Sequence, residues 1–238
     1  MTRVEIPARE RLIFAMDVPT ASAARELADR LGDSVSFYKL GLELFMSGEA
    51  FPLLDVLARR GKKVFLDLKL FDVPATVAGA VRNLRDRGVT FATVHGNQAI
   101  MEAAAGAAHG FGILAVTVLT SLDRGDLDDL GFGCDVEQLV LSRARRALAA
   151  GCAGVVSSGL EAKMLRAGVD DRLIVVTPGI RPVENRPVDD QKRVVSVQDA
   201  FANGADYIVV GRPIRDAADP RAAAQSIQAT IAGLFPGR

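Results

Sequence analysis

Charged side chains interrupt an apolar run in the segment FLDLKLFDVPATV, which extends from Phe65 to Val77. Asp67 and Lys69 stand inside residues that otherwise have the composition of a buried strand, and Asp72 follows just beyond them. Charged groups are costly to bury unless they are paired and hydrogen-bonded. A carboxylate and an amine that share a cavity could stabilise a developing charge and transfer a proton. The alternative for Asp67 and Lys69 is a buried ion pair with a structural role.

These residues belong to one of eight short, β-rich apolar runs that alternate with amphipathic segments. Eight strands alternating with eight helices favour an α/β fold of the (β/α)8 TIM barrel type, with residues 1–238 as a single domain. A doubly wound open sheet is the alternative, although the Gly-rich phosphate fingerprints that often accompany it are absent. The predicted strands are Leu12–Asp17, Phe37–Gly41, Val64–Lys69, Phe91–His95, Gly112–Val118, Gly154–Ser157, Leu173–Thr177 and Tyr207–Val210. Helices are predicted near Ala21–Leu31, Ala50–Arg60, Pro74–Arg87, Gln98–Ala107, Val136–Ala149, Leu160–Ala167, Val197–Asn203 and Pro220–Leu234.

Composition and charge restrict the class of partner. The chain has 29 basic and 29 acidic residues, so its formal net charge of zero argues against a nucleic-acid partner. Its two cysteines, Cys134 and Cys152, do not have metal-ligand spacing and are expected to be reduced thiols. The charged N-terminal segment lacks the apolar stretch of a secretory signal, and the longest apolar runs are too short to span a bilayer. We therefore expect a cytoplasmic protein that has no membrane partner.

Acidic and amine side chains lie at the ends of the first three predicted strands, and so at the same height in the predicted barrel. Asp17 ends the first strand, Lys39 lies near the end of the second, and Asp67 and Lys69 end the third. In a barrel, the chemistry takes place where strands end and the following loops begin. Two acids and two amines around one cavity are more than packing needs, although Asp17 alone could be a helix cap or a turn residue. His95, which ends the fourth strand, is interpreted as a packing residue.

The loops after the seventh and eighth strands have the composition of a phosphate site. Gly211 allows close approach to backbone N–H groups, and Arg181 and Arg212 can donate in pairs to a phosphate dianion. The long polar segment Arg181–Arg193 could close over a ligand, with Gln191 as a gripping residue. An ordinary solvated loop is the alternative interpretation of this segment.

Taken in order, these motifs resemble the orotidine 5′-phosphate decarboxylase family over nearly the whole chain. The resemblance implies conversion of orotidine 5′-monophosphate to UMP and CO2 without metal or organic cofactor. It also implies a homodimer in which Asp72 is shared across the subunit interface. The motifs are AMD at Asp17, YKLG at Lys39, DLKLFDVPAT from Asp67 to Thr76, TVLTSLD around Thr120, TPGIRP at Arg181, the Gln191 loop, and VVGRPI at Gly211 and Arg212.

The resemblance further implies a role for each matching residue, and none for His95. Lys69 would protonate the product carbon, and Asp67 would lie beside the departing carboxylate. Lys39 and Asp72 would hold these two groups in register, with Lys39 also near the ribose. The remaining substrate contacts would come from Asp17 and Thr76 to the ribose, Thr120 to the base edge or its loop, and Arg181, Gln191, Gly211 and Arg212 to the phosphate.

Two other functions remain open at this point. Sugar-phosphate synthases or decarboxylases of the same wider barrel group carry a similar DxKxxD motif but use Mg²⁺ and form an enediolate. A non-catalytic sensor of a phosphorylated ligand is the second alternative. The TSLD segment and the Gln191 loop argue against the first, and the intact array of acids and amines argues against the second.

Overall fold

A computed structural model describes residues 5–181 and 193–237 of the chain. Eight parallel strands follow one another in chain order, and β1 pairs with β8 to close the barrel. The predicted (β/α)8 barrel is thus confirmed, and the open doubly wound sheet is excluded. The strands are β1 Leu12–Ala15, β2 Phe37–Gly41, β3 Lys63–Leu70, β4 Val89–Val94, β5 Gly112–Val116, β6 Gly154–Val156, β7 Ile174–Thr177 and β8 Tyr207–Val210.

Within the described ranges, all eight predicted helices are present, and three short ones accompany them. The predicted helices are α1 Ala21–Leu31, α3 Ala50–Arg59, α4 Pro74–Arg82, α5 Gln98–Ala107, α7 Val136–Ala149, α8 Ala162–Gly168, α9 Val197–Ala202 and α11 Pro220–Leu234. The additional helices are α2 Leu42–Met46, α6 Arg124–Asp129 and α10 Arg212–Arg215. They have four to six residues, which is too short to show a helical period in sequence.

Local sequence signals account for where α1 begins and ends. The Thr20 hydroxyl accepts a hydrogen bond from the Ala23 N–H at the N-terminus, and Gly32 ends the helix at a φ of 53°. The buried face carries Ala24, Leu27 and Leu31, at the spacing that sequence analysis predicts. Because Thr20 caps this helix, the alternative interpretation of Asp17 as a cap is wrong.

The lumen of the barrel is filled by aromatic rings below its mouth. Phe37 stacks on Phe91 with 5.8 Å between ring centroids, and Tyr207 meets both rings edge-on. Phe65 contacts Phe91 edge-on at 6.4 Å. These four side chains are buried, and alternation along the strands places the next inward-facing residues nearer the mouth. The aromatic layer therefore closes the lumen of the barrel beneath the strand ends.

Buried charged side chains link several elements at the end of the barrel opposite its mouth. Asp206, just before β8, forms an ion pair with Arg166 of α8 and accepts a hydrogen bond from the Val175 N–H at 2.8 Å. Arg11 donates to the Asp206 carbonyl and stacks on Phe235, 3.8 Å from the ring centroid. This group links β1, β7, β8 and the end of α11. Among the residues described, no helix has the length and apolarity of a membrane span.

Strand β3 leaves its regular pairing with β4 close to the mouth. Leu66 pairs with Ala92 and Leu70 pairs with Val94. Between these two pairs, β3 therefore advances by four residues and β4 by only two. Within this irregular stretch, Lys69 has a left-handed backbone with a φ of +50°. Glycine adopts this conformation readily, whereas residues with a Cβ seldom do. The irregularity falls on the segment that sequence analysis singles out for its charges.

Candidate active site

A cavity of about 430 Å³ opens at the carboxyl ends of the strands. Its volume lies within the range of about 300–1,000 Å³ that is typical of small-molecule sites. It is bounded by residues from six of the strands, all except β4 and β7, together with loops that follow the strands. The lining residues are Ala15, Asp17, Lys39, Phe65, Asp67, Lys69, Val116, Val118, Leu119, Thr120, Val156, Ser157, Pro178, Gly179, Arg181, Val209, Gly211, Arg212 and Arg215.

Two carboxylates and two amines alternate along one wall of this cavity. Lys39 Nζ lies 3.0 Å from Asp17 Oδ1 and 3.5 Å from Asp67 Oδ2. Lys69 Nζ lies 2.9 Å from the same Asp67 oxygen. The sequence analysis predicts this convergence at the strand ends, and the prediction is confirmed for all four side chains. Asp17 and Lys69 are partly exposed to the cavity, whereas Lys39 and Asp67 are buried beneath them.

The two buried side chains, Lys39 and Asp67, stabilise each other in the charged form. Burial alone would raise the pKa of the Asp67 carboxyl, but the ammonium groups of Lys39 and Lys69 hold it below its ordinary value. Burial alone would lower the pKa of Lys39, but Asp67 and Asp17 raise it above its ordinary value. Both groups therefore remain charged at neutral pH. The array therefore has its charges in place in the absence of a ligand.

Asp67 and Lys69 face the cavity together, as predicted, but the backbone reaches this arrangement differently from a regular strand. The left-handed turn at Lys69 replaces its ladder hydrogen bond with one from its N–H to Thr93 Oγ1, at 2.9 Å. The Thr93 hydroxyl in turn donates to Asp67 Oδ1, also at 2.9 Å. Two-residue alternation predicts the correct face, whereas the position of the amine depends on the irregular backbone.

Arginines gather on the side of the cavity formed after β7 and β8, of which β8 is the neighbour of β1. Arg181 is buried and donates from Nη1 to the Ile180 carbonyl, at 2.9 Å. Arg212 begins the short helix α10 at the exposed rim. Gly211 approaches β1 closely, since a Cβ there would lie 3.4 Å from that of Ala15. The predicted residues of the phosphate end therefore meet at one cavity, except Gln191, which lies outside the described residues.

Thr120 lines the cavity on a segment that a buried arginine holds in place. Arg193 pairs with the carboxylate of Glu161 and donates to the carbonyl oxygen of Leu119 at 2.8 Å. Arg193 is the far end of the polar segment for which sequence analysis weighs a lid against a solvated loop. Its side chain is mostly buried, so the solvated interpretation is wrong for this residue. Residues 182–192 between the two arginines lie outside the described residues, and a lid remains a prediction.

Two predicted site residues do not reach the cavity of this chain. Asp72 and Thr76 are exposed, and the Asp72 carboxylate accepts a hydrogen bond from the N–H of Val73 at 2.6 Å. His95 packs edge-on against Phe71, with 5.7 Å between ring centroids, and does not line the cavity. Burial, followed by the charges of Arg143 and Lys69, lowers the pKa of His95. The contact with Phe71 agrees with its interpretation as a packing residue.

Three further residues shape the site and are not among those predicted from the sequence. Thr93 bridges Asp67 and the backbone of Lys69, yet nothing in its local sequence marks this role. Arg215 lines the cavity and donates to the Asp17 carbonyl at 2.8 Å; its position three residues after Arg212 on a helix could have signalled it. The third is Gly41, where a Cβ would lie 2.9 Å from Asp17 Oδ1 and 3.1 Å from Lys39 Nζ.

The closed barrel and the charged cavity at its strand ends define a (β/α)8-barrel enzyme with a site for a small anionic ligand. The model of the Orotidine 5'-phosphate decarboxylase / HUMPS family matches residues 10–227. The chain belongs to this family.

Relatives and a solved structure agree with this assignment. The chain is 70% identical over 230 residues to an orotidine 5'-phosphate decarboxylase of Methylococcus capsulatus, with 97% of this chain and 95% of the relative covered. It is 53% identical over 243 residues to the Stenotrophomonas maltophilia enzyme of that name, with both chains fully covered. The crystal structure of orotidine 5'-phosphate decarboxylase from Lactobacillus acidophilus superposes with a TM-score of 0.82 at 33% identity, covering 93% of this chain and 99% of that chain.

Proposed function

We propose that the chain, acting as one domain, decarboxylates orotidine 5′-monophosphate to UMP and CO2, the last step of de novo pyrimidine synthesis. The observation that carries the proposal is the alternating array of Asp17, Lys39, Asp67 and Lys69 on one wall of the cavity. Family membership and the named relatives support the choice of substrate. A cytoplasmic location, expected from the N-terminal sequence, is part of the same proposal.

The chemistry requires the protein to stabilise a carbanion. When the bond between C6 and the carboxylate breaks, CO2 leaves and the electron pair remains at C6 of the pyrimidine. No organic cofactor takes part in the proposal as an electron sink, so fixed charges of the protein must oppose the developing negative charge. In this proposal the Lys69 ammonium does so, and it then gives a proton to C6 to complete UMP. The lysine emerges neutral and regains its proton from solvent.

The other members of the array orient Lys69 and the substrate. Asp67 remains ionised beside Lys69 and would lie next to the substrate carboxylate, where repulsion disfavours the bound ground state. Lys39 holds the Asp67 carboxylate from the other side. Asp17 lies at the free end of the array, where its partly exposed oxygens can bind ribose hydroxyls. Thr120 then contacts the base edge or the loop that covers it.

The phosphate would bind at the arginine side of the cavity. Arg181 and Arg212 supply guanidinium donors, and Gly211 lets the phosphate approach the backbone. Gln191 completes the grip in this proposal, on a segment that closes over the nucleotide. Binding energy gathered at the phosphate, away from the reacting carbon, can drive that closure and lower the barrier at C6.

We also propose that the active form is a homodimer. Exposed apolar side chains gather after β2 and β3, which are neighbouring strands: Leu42, Met46, Phe71 and Val73. Such a patch is typical of a protein interface. Asp72 lies within it and does not reach the cavity of its own chain. A second copy packed on this patch would receive Asp72 and Thr76 at its own array.

An absorbance assay of orotidine 5′-monophosphate consumption with excess EDTA tests the reaction. Sustained turnover supports the proposal, whereas activity that disappears on chelation favours a Mg²⁺-dependent sugar-phosphate enzyme. Binding of UMP without any turnover would instead indicate a ligand sensor. Within the described residues, no group of His, Cys, Asp or Glu side chains is arranged to hold a metal ion.

Subunit mixing tests the shared Asp72. Lys69→Ala and Asp72→Ala proteins are purified separately, mixed and allowed to exchange subunits. If Asp72 serves the neighbouring site, each mixed dimer contains one intact site, and activity rises toward about a quarter of the wild-type value. If Asp72 serves its own chain, no intact site forms, and mixing leaves activity at the level of the parents.

A further inference from the structure

Thr93 is buried beneath the charged array, where β3 departs from regular pairing. Its side chain is inaccessible to solvent and is absent from the cavity lining. One hydroxyl oxygen makes both of its hydrogen bonds, accepting from the Lys69 N–H and donating to Asp67 Oδ1, each at 2.9 Å. The residue therefore contacts both members of the reacting pair without access to the ligand.

The direction of these two hydrogen bonds is fixed by their partners. A backbone N–H can only donate, and an ionised carboxylate can only accept. The single Thr93 proton must therefore point to Asp67, while an oxygen lone pair faces Lys69. Neither bond can be exchanged for the other, so the hydroxyl holds a defined distance between the Asp67 carboxylate and the Lys69 backbone.

The Lys69 backbone needs such a support. Its φ of +50° is unfavourable for a residue with a Cβ. Such conformations persist where surrounding structure enforces them, and they are common at active sites. The register shift between Leu66 and Leu70 takes Lys69 out of the regular ladder with β4, and the Thr93 hydroxyl takes the place of a strand carbonyl.

We propose that Thr93 is a positioning residue that sets Lys69 and Asp67 in their reactive arrangement. It acts through these residues and does not touch the substrate. The inference rests on the proposed decarboxylation, since the pair it positions is the one assigned to that chemistry. Displacement of a reacting group by about 1 Å can lower a rate by about a hundredfold. Loss of the hydroxyl should thus affect kcat more than substrate binding.

Thr93→Val tests this role, because valine has nearly the same shape and lacks both hydrogen bonds. We expect kcat to fall by about tenfold or more while KM for orotidine 5′-monophosphate changes by less than about threefold. Thr93→Ser restores the hydroxyl and should return kcat to within about threefold of wild type. A Thr93→Val protein whose kcat stays within about twofold of wild type overturns the proposal.

Thr117→Val is the matched control. Thr117 is equally buried, and its hydroxyl donates to the Val156 carbonyl at 3.0 Å, away from the array. Both substitutions remove one buried, hydrogen-bonded hydroxyl, so both should lower thermal stability. Only Thr93→Val should lower kcat in the folded protein. An equal loss of kcat in both variants would show that general destabilisation accounts for the effect and would overturn the proposal.

Amide hydrogen exchange gives a readout that does not depend on activity. In the wild-type protein, the Lys69 amide should be protected from exchange by its bond to the Thr93 hydroxyl. Thr93→Ser should keep that protection, and Thr93→Val, or Thr93→Ala if the valine variant does not fold, should lose it. An unprotected Lys69 amide in the wild type overturns the proposal. A folded wild-type protein that protects Lys69 but consumes no substrate instead refutes the proposed function.

Discussion

Lys69 Nζ lies 2.9 Å from Asp67 Oδ2 although the backbone between them is not a regular strand. The ammonium group is partly exposed to the cavity, while the carboxylate is buried and also contacts Lys39. An amine held in this way can meet a ligand without losing its charge partner. The contact thus joins the buried part of the array to the cavity in which the ligand would bind.

Replacement of Lys69 by alanine should remove the proton donor of the proposed reaction. We expect kcat to fall by at least the 10²- to 10⁴-fold that is typical of positioned proton donors. UMP should still bind, because the arginine side of the cavity is unchanged. Steady-state turnover and calorimetric titration with UMP measure the two effects separately. Near-normal turnover would remove Lys69 from the mechanism.

Arg212→Ala should weaken the binding of phosphorylated ligands. Hydrogen bonds to charged groups contribute about 1.5–3 kcal/mol each, so the affinity for UMP should fall by about 10- to 100-fold. The affinity for uridine, which lacks the phosphate, should not change. Arg25→Ala is the control, because it also removes one arginine but at an exposed position of α1; it should leave both affinities unaltered. An unchanged UMP affinity in Arg212→Ala would contradict the phosphate assignment.

Gly41→Ala should disturb the free end of the array without straining the backbone. The added Cβ would lie 2.9 Å from Asp17 Oδ1 and 3.1 Å from Lys39 Nζ, so at least one of these groups must move. We expect kcat/KM to fall by about tenfold or more. Gly106→Ala is the control, because a Cβ there meets nothing within 4 Å and should stabilise α5 by about 0.5–1 kcal/mol. Equal kinetics for Gly41→Ala and wild type would show that the contact is easily relieved.

The depressed pKa of Asp67 predicts how stability changes in acid. Because the pKa of this carboxyl is lower in the folded than in the unfolded state, its contribution is present above the unfolded value of about 3.9. That contribution disappears as the pH falls through the folded pKa. The free energy of unfolding of wild type, minus that of Asp67→Asn, should therefore be constant near neutral pH and decrease below about pH 4. Urea titrations across this range measure it, and an increase on acidification would contradict the assignment.

Asp206→Ala should destabilise the barrel without affecting its chemistry. The substitution leaves Arg166 buried without its ion-pair partner, and broken buried pairs typically cost about 3–5 kcal/mol of unfolding free energy. The folded fraction should keep the wild-type kcat, because the ionic group lies at the end of the barrel away from the cavity. Asp170→Ala is the control; it breaks an exposed pair with Arg172 and should change stability little. Equal stability of the two variants would contradict this account.

The sequence analysis predicts much of this molecule because several of its signals are local. Apolar runs and the amphipathic segments between them predict the alternation of elements, and the two-residue alternation of side chains along a strand predicts that Asp67 and Lys69 share a face. The error in the bounds is small: β1 ends two residues before Asp17, and α4 ends at Arg82, five residues earlier than expected.

The remaining features depend on contacts between distant residues. No glycine or proline marks the register shift in β3, so the left-handed conformation of Lys69 has no local signature. Thr93 is 26 residues from Asp67, and the bond between them follows from how β4 lies beside β3. The role proposed for Asp72 would require a second copy of the chain, which local sequence signals cannot place.

The aromatic layer under the array has a consequence for the order of events in a catalytic cycle. In the part of the chain that the structure describes, Phe37, Phe65, Phe91 and Tyr207 close the lumen, so the open route for water to Lys69 runs through the mouth of the barrel. A nucleotide bound in the cavity would occupy this route. In the proposed reaction, Lys69 would therefore regain its proton only after UMP departs. Product release and reprotonation of Lys69 would then follow one path, in that order.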